Sequence, residues 1–448
     1  MTILTDLAAY LAARQFSVLS ADEQEAVRVH VCDTVCASLV GSRTPDGQGL
    51  LALQQETDPV TALMASPLDD IATRAGMTRL SEIDDIHLPS GTTPGSIIVP
   101  TALTLSAHLG IKDPAAVASA VIAGYEAMTR LGAAADGQNL VYRGVWTTYF
   151  TSPFGTAAIA AHLLGLDETQ YAHALAIALT ITAGRMGPPG TEKTSRWLMV
   201  GHAARAGVLA ALSAGSGYTG ALALLDGPWM QNAHGVETDS AMFLDNTDDG
   251  CVVSEISTKP YCSAKQMIAT IAGFEEILGR GIAPDEIDQV LVSVPSRYSA
   301  MIDHGVVEGD RLSSATSAPY QLALAAYNKE GLFDVARTKF ILNDNVTGFM
   351  EKVSVEVGEA LGDYLPGNWP GRVTVTAGSR TEEATVIDAP GDPKFASDMT
   401  STLEKFANFA GPVVGADQAA ALAETASTAC DDAGALAKLQ AFYLNPNA

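Results

Sequence analysis

Apolar residues up to about position 262 recur mostly three and four apart, as in Leu4, Leu7, Ala8 and Leu11. That period predicts helices, there and over residues 21–39 and 102–109. Residues 154–164, 171–183 and 200–214 are rich in Ala and nearly apolar all round, which predicts core helices with closely approaching axes. Gly165, Gly184 and Gly187, then Gly215 and Gly217, fall between them as breakers. From about 263 to 395 the texture changes. Gln289–Val294, Val353–Val357 and residues 372–376 alternate polar with β-branched side chains, and 381–387 adds a fourth strand after a Gly378-Ser379 turn. Helical stretches over 264–278, 319–327 and 343–351 lie between the strands. After Pro393 the Ala-rich helical pattern returns through Phe442, with Gly411-Pro412 as an internal break.

These patterns predict a mainly α protein. A large all-α helical domain is built from both chain ends, residues 1–262 and 396–448, and a smaller α+β lid domain, 263–395, is inserted into it. An insertion whose ends lie close costs little closure entropy, and a cleft between two domains is a usual place for a ligand.

Composition narrows the function. The chain has 448 residues, of which 47% are hydrophobic and 17% charged, and 26 Lys and Arg against 51 Asp and Glu give a formal charge of −25. Such a surface repels phosphate backbones and anionic lipids, so neither nucleic acid nor a membrane is an expected partner, and a small molecule is. Five scattered cysteines make no disulfide scaffold, and Cys32 and Cys36 read as buried helix residues rather than a metal pair. No metal site is expected. The N-terminus lacks a basic leader and carries Asp6 in its apolar part, and no apolar run approaches the ~18 residues that cross a bilayer. A cytoplasmic protein is expected. Residues 187–194 mimic a phosphate-binding loop, but Glu192 stands where glycine must precede Lys193, and a carboxylate there repels phosphate.

Several segments carry chemistry. Glu82, Asp84, Asp85 and His87 precede Pro94-Gly95; Tyr142, Arg143, Gly144 and Trp146 precede Phe154-Gly155; Lys193-Thr194-Ser195-Arg196 precedes Gly201-His202. Tyr218-Thr219-Gly220 with Asp226-Gly227, Lys259-Pro260-Tyr261-Cys262, and Ser317-Ala318-Pro319-Tyr320-Gln321 follow. In order and spacing this set resembles the MmgE/PrpD family over nearly the whole chain. The family includes 2-methylcitrate dehydratase, cis-aconitate decarboxylase and iminodisuccinate epimerase. The resemblance implies the same large helical domain and α+β lid, and a homodimer.

Departures from the family pattern point away from dehydration and decarboxylation. Thr93 stands where those enzymes carry a His before Pro-Gly, Trp146 where a Gly-x-His motif ends, and Lys265 where a further His follows Lys-Pro-Tyr. Arg196 replaces a family Lys. Loss of three imidazoles removes groups that exchange protons near neutrality. What remains is rich in cations: Arg143, Lys193, Arg196, Lys259 and Lys265, with Tyr149 and Tyr320. Such a set suits a substrate with several carboxylates, and iminodisuccinate, with four, is the family substrate that fits best.

Epimerisation removes a carbon-bound proton beside a carboxylate and returns it to the opposite face. No pyridoxal or flavin fingerprint is visible, and a route without cofactor is expected, its aci-carboxylate intermediate stabilised by cations. Lys193 or Lys259 is the expected base, with Tyr320, His87 or Lys265 as the opposing donor. Arg143, Trp146, Tyr149 and Arg196 are expected to hold substrate. Asp84 and Asp85 either join them or serve as a helix cap and arginine partners. His202 reads as a core or interface residue, and His30, His108, His162 and His173 as ordinary helix positions. The rival activities are a hydro-lyase acting on 2-methylcitrate or a related tricarboxylate, and a binding protein without catalysis.

Overall fold

The computed structural model describes the chain apart from residues 1, 55–65, 183, 185–186, 188–193, 246, 248–249 and 446–448. It forms two compact units, Met1–Ile256 with Asp398–Ala448, and Ser257–Ser397. The chain is mainly α.

In the first unit α1 (Ile3–Ala12) and α2 (Ala21–Ser42) start on capping boxes, Thr2 with Thr5 and Ser20 with Glu23, which satisfy N–H groups that a helix start leaves open. α3 (Pro45–Ala52) and α4 (Pro67–Arg79) carry proline in their first turns, where its missing N–H costs nothing. α5 (Gly95–Leu109) begins well before residue 102 and holds Pro100 inside it. α6 (Pro114–Ala134) is a buried helix that apolar spacing does not single out, because Gly124, Glu126 and Arg130 interrupt its period. After the short α7 (Gly137–Leu140) come α8 (Thr147–Leu163), with Pro153 inside, α9 (Glu168–Thr180), capped by Asp167, α10 (Ser195–Gly215) and α11 (Trp229–His234).

α8 packs against α6, α9 and α10, and α10 also lies on α4. Glycine permits this approach. A Cβ at Gly207 would meet the Pro153 carbonyl oxygen at 2.0 Å, and one at Gly201 the Ala72 oxygen at 2.4 Å. Of the described residues only α10 is long and apolar enough to cross a membrane, and 56% of its apolar window is buried inside the protein, as suits a core helix.

The second unit runs through α12 (Lys265–Gly279), β1 (Gln289–Val294), α13 (Ser296–Ile302), α14 (Arg311–Thr316), α15 (Ala318–Tyr327), α16 (Asp344–Met350), β2 (Val353–Val357), β3 (Gly371–Ala377) and β4 (Arg380–Val386). The sheet order is β2-β1-β3-β4, with β1 parallel to β2 and the other pairs antiparallel. Val290 opposes Val375 and Val292 opposes Val373, all buried, so one register puts the β-branched face against α12. Gly378, at φ +58°, and Ser379 make the two-residue turn between Ala377 and Arg380. Residues 257–262 pack with this unit: the Thr258 N–H donates to the Gly391 carbonyl at 2.9 Å, and Cys262 N–H to Leu332 at 2.9 Å.

The chain then returns to the first unit as α17 (Met399–Val414), α18 (Ala416–Thr428) and α19 (Ala433–Leu444). The break expected at Gly411-Pro412 falls elsewhere. The helix continues through Pro412 and stops at Gly415, φ +89°, because proline in a last turn removes a single hydrogen bond while a left-handed φ ends the helix. Lys405 on α17 donates to Asp33 Oδ1 at 2.5 Å and to the Ile83 carbonyl at 2.8 Å, and Arg28 on α2 pairs with Asp431 at 2.6 Å. Both ends of the chain therefore hold one core.

Candidate active site

The acidic loop between α4 and α5 is built by its charges. Asp85 is fully buried. Its Oδ1 accepts the Gly95 N–H at 2.7 Å, and its Oδ2 accepts the Tyr125 hydroxyl at 2.6 Å and lies 3.0 Å from His30 Nδ1. Burial, then the Asp85 charge, pushes the Tyr125 phenol well above its ordinary value, so it stays a donor. Gly95 is required here, since a Cβ would meet Asp85 Oδ2 at 2.6 Å. Asp85 thus caps the start of α5 and ties it to α2 and α6. His30, by sequence an ordinary helix position, is a partner of this carboxylate.

Asp84 faces the other way. Its Oδ1 lies 3.4 Å from Arg79 Nη1, which also pairs with Glu82 Oε2 at 2.9 Å. Burial works to strip the Arg79 proton, but Asp84 and Glu82 outweigh it and the guanidinium is held charged. Glu82 sits at φ +60°, a backbone conformation that costs a non-glycine residue ~1 kcal/mol or more, and there its other oxygen reaches Arg196 Nη2 at 3.5 Å.

Arg196, in the first turn of α10, is buried between two indole rings, 4.3 Å from the Trp146 centroid and 4.6 Å from that of Trp197. Its Nε donates to the Tyr149 hydroxyl at 3.0 Å, and Tyr149 stacks on Trp146. Trp146, Tyr149, Arg196, Glu82, Arg79 and Asp84 therefore form one linked group. Arg143 is exposed and donates to the Gly235 carbonyl at 2.8 Å, and among the described residues no such bond joins it to the group. Lys193 lies outside the described residues. His87 Nδ1 is 2.9 Å from Ser90 Oγ, and its Nε2 is 3.6 Å from Glu255, whose carboxyl is lowered chiefly by the nearby imidazole.

In the second unit Lys259 and Lys265 are both buried. Lys265 Nζ bonds Asp392 Oδ1, while Asp392 Oδ2 accepts the Ala389 N–H at 2.7 Å. Burial lowers the Lys265 ammonium below lysine's ordinary value; Asp392 opposes this and the Lys259 charge adds to it. Tyr320 is buried, its hydroxyl accepts the Ile341 N–H at 3.0 Å, and burial raises its phenol, which suits a structural post better than a ready proton donor. Arg337, at φ +35°, is buried and donates to the Cys262 carbonyl at 2.7 Å and to Ser314 Oγ at 2.8 Å. With Gln321, which donates to the Ser314 carbonyl at 2.8 Å, it ties Lys259-Pro260-Tyr261-Cys262 to the segment that bears Tyr320.

Sequence reading takes His30 for an ordinary helix position, passes over Arg79, Tyr125, Arg337 and Asp392, and leaves Glu82 without a role. The signal for His30 is a polar residue, with Asp33 and Thr34, on a helix that is otherwise buried. His202 is exposed on α10 rather than in the core, and His108 Nε2 pairs with Asp70 at 2.8 Å. All five cysteines are buried and none is in a disulfide. Among the described residues no group of three His, Cys, Asp or Glu side chains is arranged to hold a metal ion.

No individual curated protein matches the chain. The MmgE/PrpD N-terminal domain matches residues 5–239 and the MmgE/PrpD C-terminal domain residues 261–429. These two matches take in most of both units, and the chain belongs to the MmgE/PrpD family, whose members are in general enzymes.

Proposed function

We propose that the protein is a cofactor-independent epimerase of iminodisuccinate that removes and returns the proton on a carbon beside a carboxylate. The lysine pair supports this most. Lys259 and Lys265 are buried, and burial, with the Lys259 charge adding to it, lowers the Lys265 ammonium. A neutral amine is therefore reached at lower pH than on a surface lysine, and it can take a carbon-bound proton, which a guanidinium cannot. The C–H electron pair moves into the adjacent carboxylate as an aci-carboxylate while the proton goes to nitrogen. A second acid returns a proton to the opposite face. Arg196, held flat between Trp146 and Trp197, has the planar fork that pairs with a carboxylate, and Lys193 remains a further candidate base.

A hydro-lyase acting on a tricarboxylate is the second reading, favoured by one observation: His87 is bonded through Nδ1 to Ser90 and faces Glu255 through Nε2, an imidazole oriented for proton transfer. One experiment separates the two. A single iminodisuccinate isomer incubated with the protein in D₂O is expected to gain deuterium at the α-carbon and become a mixture of isomers. No exchange with any isomer, together with a new C=C absorbance from 2-methylcitrate, replaces the epimerase with the hydro-lyase.

A further inference from the structure

Neither family domain match nor any chemistry-bearing motif in the sequence draws attention to residues 389–397, yet this stretch grips both ends of the lysine segment. At one end the Thr258 N–H, directly before Lys259, donates to the Gly391 carbonyl at 2.9 Å, and Thr258 Oγ1 lies 2.7 Å from Ser397 Oγ. Gly391 has φ +87°, and a Cβ there would meet the Thr258 carbonyl oxygen at 2.6 Å, so the contact is close enough to require glycine. At the other end Asp392 bonds Lys265, the first residue of α12. The Asp392 side chain is fixed in turn: Oδ2 takes the Ala389 N–H at 2.7 Å, the Asp392 N–H returns to the Ala389 carbonyl at 3.0 Å, and the Phe395 N–H closes on the Asp392 carbonyl at 2.8 Å. The pair is almost sealed from solvent, with side-chain exposure of 2% for Lys265 and 1% for Asp392.

We propose that Asp392 is a positioning residue for the lysine pair, holding Lys265 in one place while the turn that carries it fixes Lys259 through Thr258. The inference rests on the proton-transfer reading above. A buried carboxylate with its second oxygen already occupied leaves Lys265 one geometry. Its charge also favours the ammonium that burial disfavours, and so sets how readily the proton leaves. The charged groups acting on Lys265 are Asp392 and Lys259; Arg297, Arg372, Arg380, Glu382 and Glu383, on the elements packed against α12, stand at partly or fully exposed positions.

The test is the Lys265 titration, followed as the Cε chemical shift in protein labelled with ¹³C at lysine and assigned by loss of the signal in Lys265→Met. Asp392→Asn is expected to move the midpoint to lower pH and to shift the pH profile of α-deuterium exchange with it, the kcat reached above the midpoint falling by no more than about tenfold for each unit moved while KM stays within about threefold. Asp392→Glu is expected to restore the midpoint in part. A Lys265 midpoint in Asp392→Asn equal to that of the parent protein overturns the proposal. Should Asp392→Asn fail to fold, Asp392→Glu decides: its displaced carboxylate is expected to change the midpoint, and an unchanged one overturns the proposal equally. The NMR titration needs no substrate. A protein that shows the shift but never exchanges deuterium keeps the role of Asp392 and loses the epimerase.

Discussion

Two buried cations, Arg79 in the helical unit and Lys265 in the second, are held in opposite ways. In the helical unit Arg79 lies between Glu82 and Asp84, and Arg196 between two indoles with Tyr149 and Glu82 at its edge. Carboxylates outweigh burial there, and Arg79 is held charged. In the second unit burial outweighs Asp392, and Lys265 is lowered. A buried arginine among acids is a permanent charge suited to orienting carboxylates, whereas a buried lysine can trade its proton. The helical unit therefore offers a fixed cation and the second unit an exchangeable proton.

Removing the arginine that two acids share is the harshest way to break this comparison. Arg79→Met leaves the buried Asp84 and the partly exposed Glu82 without that partner and is expected to cost about 3–5 kcal/mol of stability in chemical denaturation. A loss under about 1 kcal/mol would show that the acids do not depend on it. Arg196→Ala acts on function rather than fold: losing a buried, stacked fork is expected to lower kcat/KM by about 2–4 kcal/mol, roughly 30- to 1,000-fold. Unchanged kinetics would remove Arg196 from the site.

The smallest effect is the pH dependence of stability. Because the folded Lys265 titrates below its ordinary 10.5, the unfolded chain binds more protons between those two values. Stability therefore rises with pH across that window, by up to about 1.4 kcal/mol per pH unit, relative to Lys265→Met. Below the folded value the penalty is fully present. Parallel pH–stability curves for the two proteins would show that burial does not press on Lys265.

Periodicity made the fold legible wherever neighbours in sequence are neighbours in space: the strands at Gln289–Val294 and Val353–Val357 are read directly from alternation. It fails at prolines. Pro100 and Pro153 read in sequence as breakers yet lie inside helices, so α5 and α8 begin earlier than spacing predicts. The site was legible as residue types but not as pairings. Lys265 and Asp392 are 127 positions apart, His30 and Asp85 55, and Asp33 and Lys405 372. No local pattern links such partners. Likewise Asp84 and Asp85 are adjacent in sequence, yet one is committed to an arginine and the other to a histidine, a tyrosine and a helix start, because successive residues of an extended loop point to opposite sides.

The most direct measurement is the rate of α-deuterium incorporation into one iminodisuccinate isomer by Lys265→Arg beside the parent protein. Arginine keeps a cation against Asp392 but cannot act as a neutral base. The parent protein is expected to exchange, and the variant to bind substrate while exchanging at least about a hundredfold more slowly. Exchange at the parent rate by Lys265→Arg would contradict the account, since the proton would then be moving through some other group.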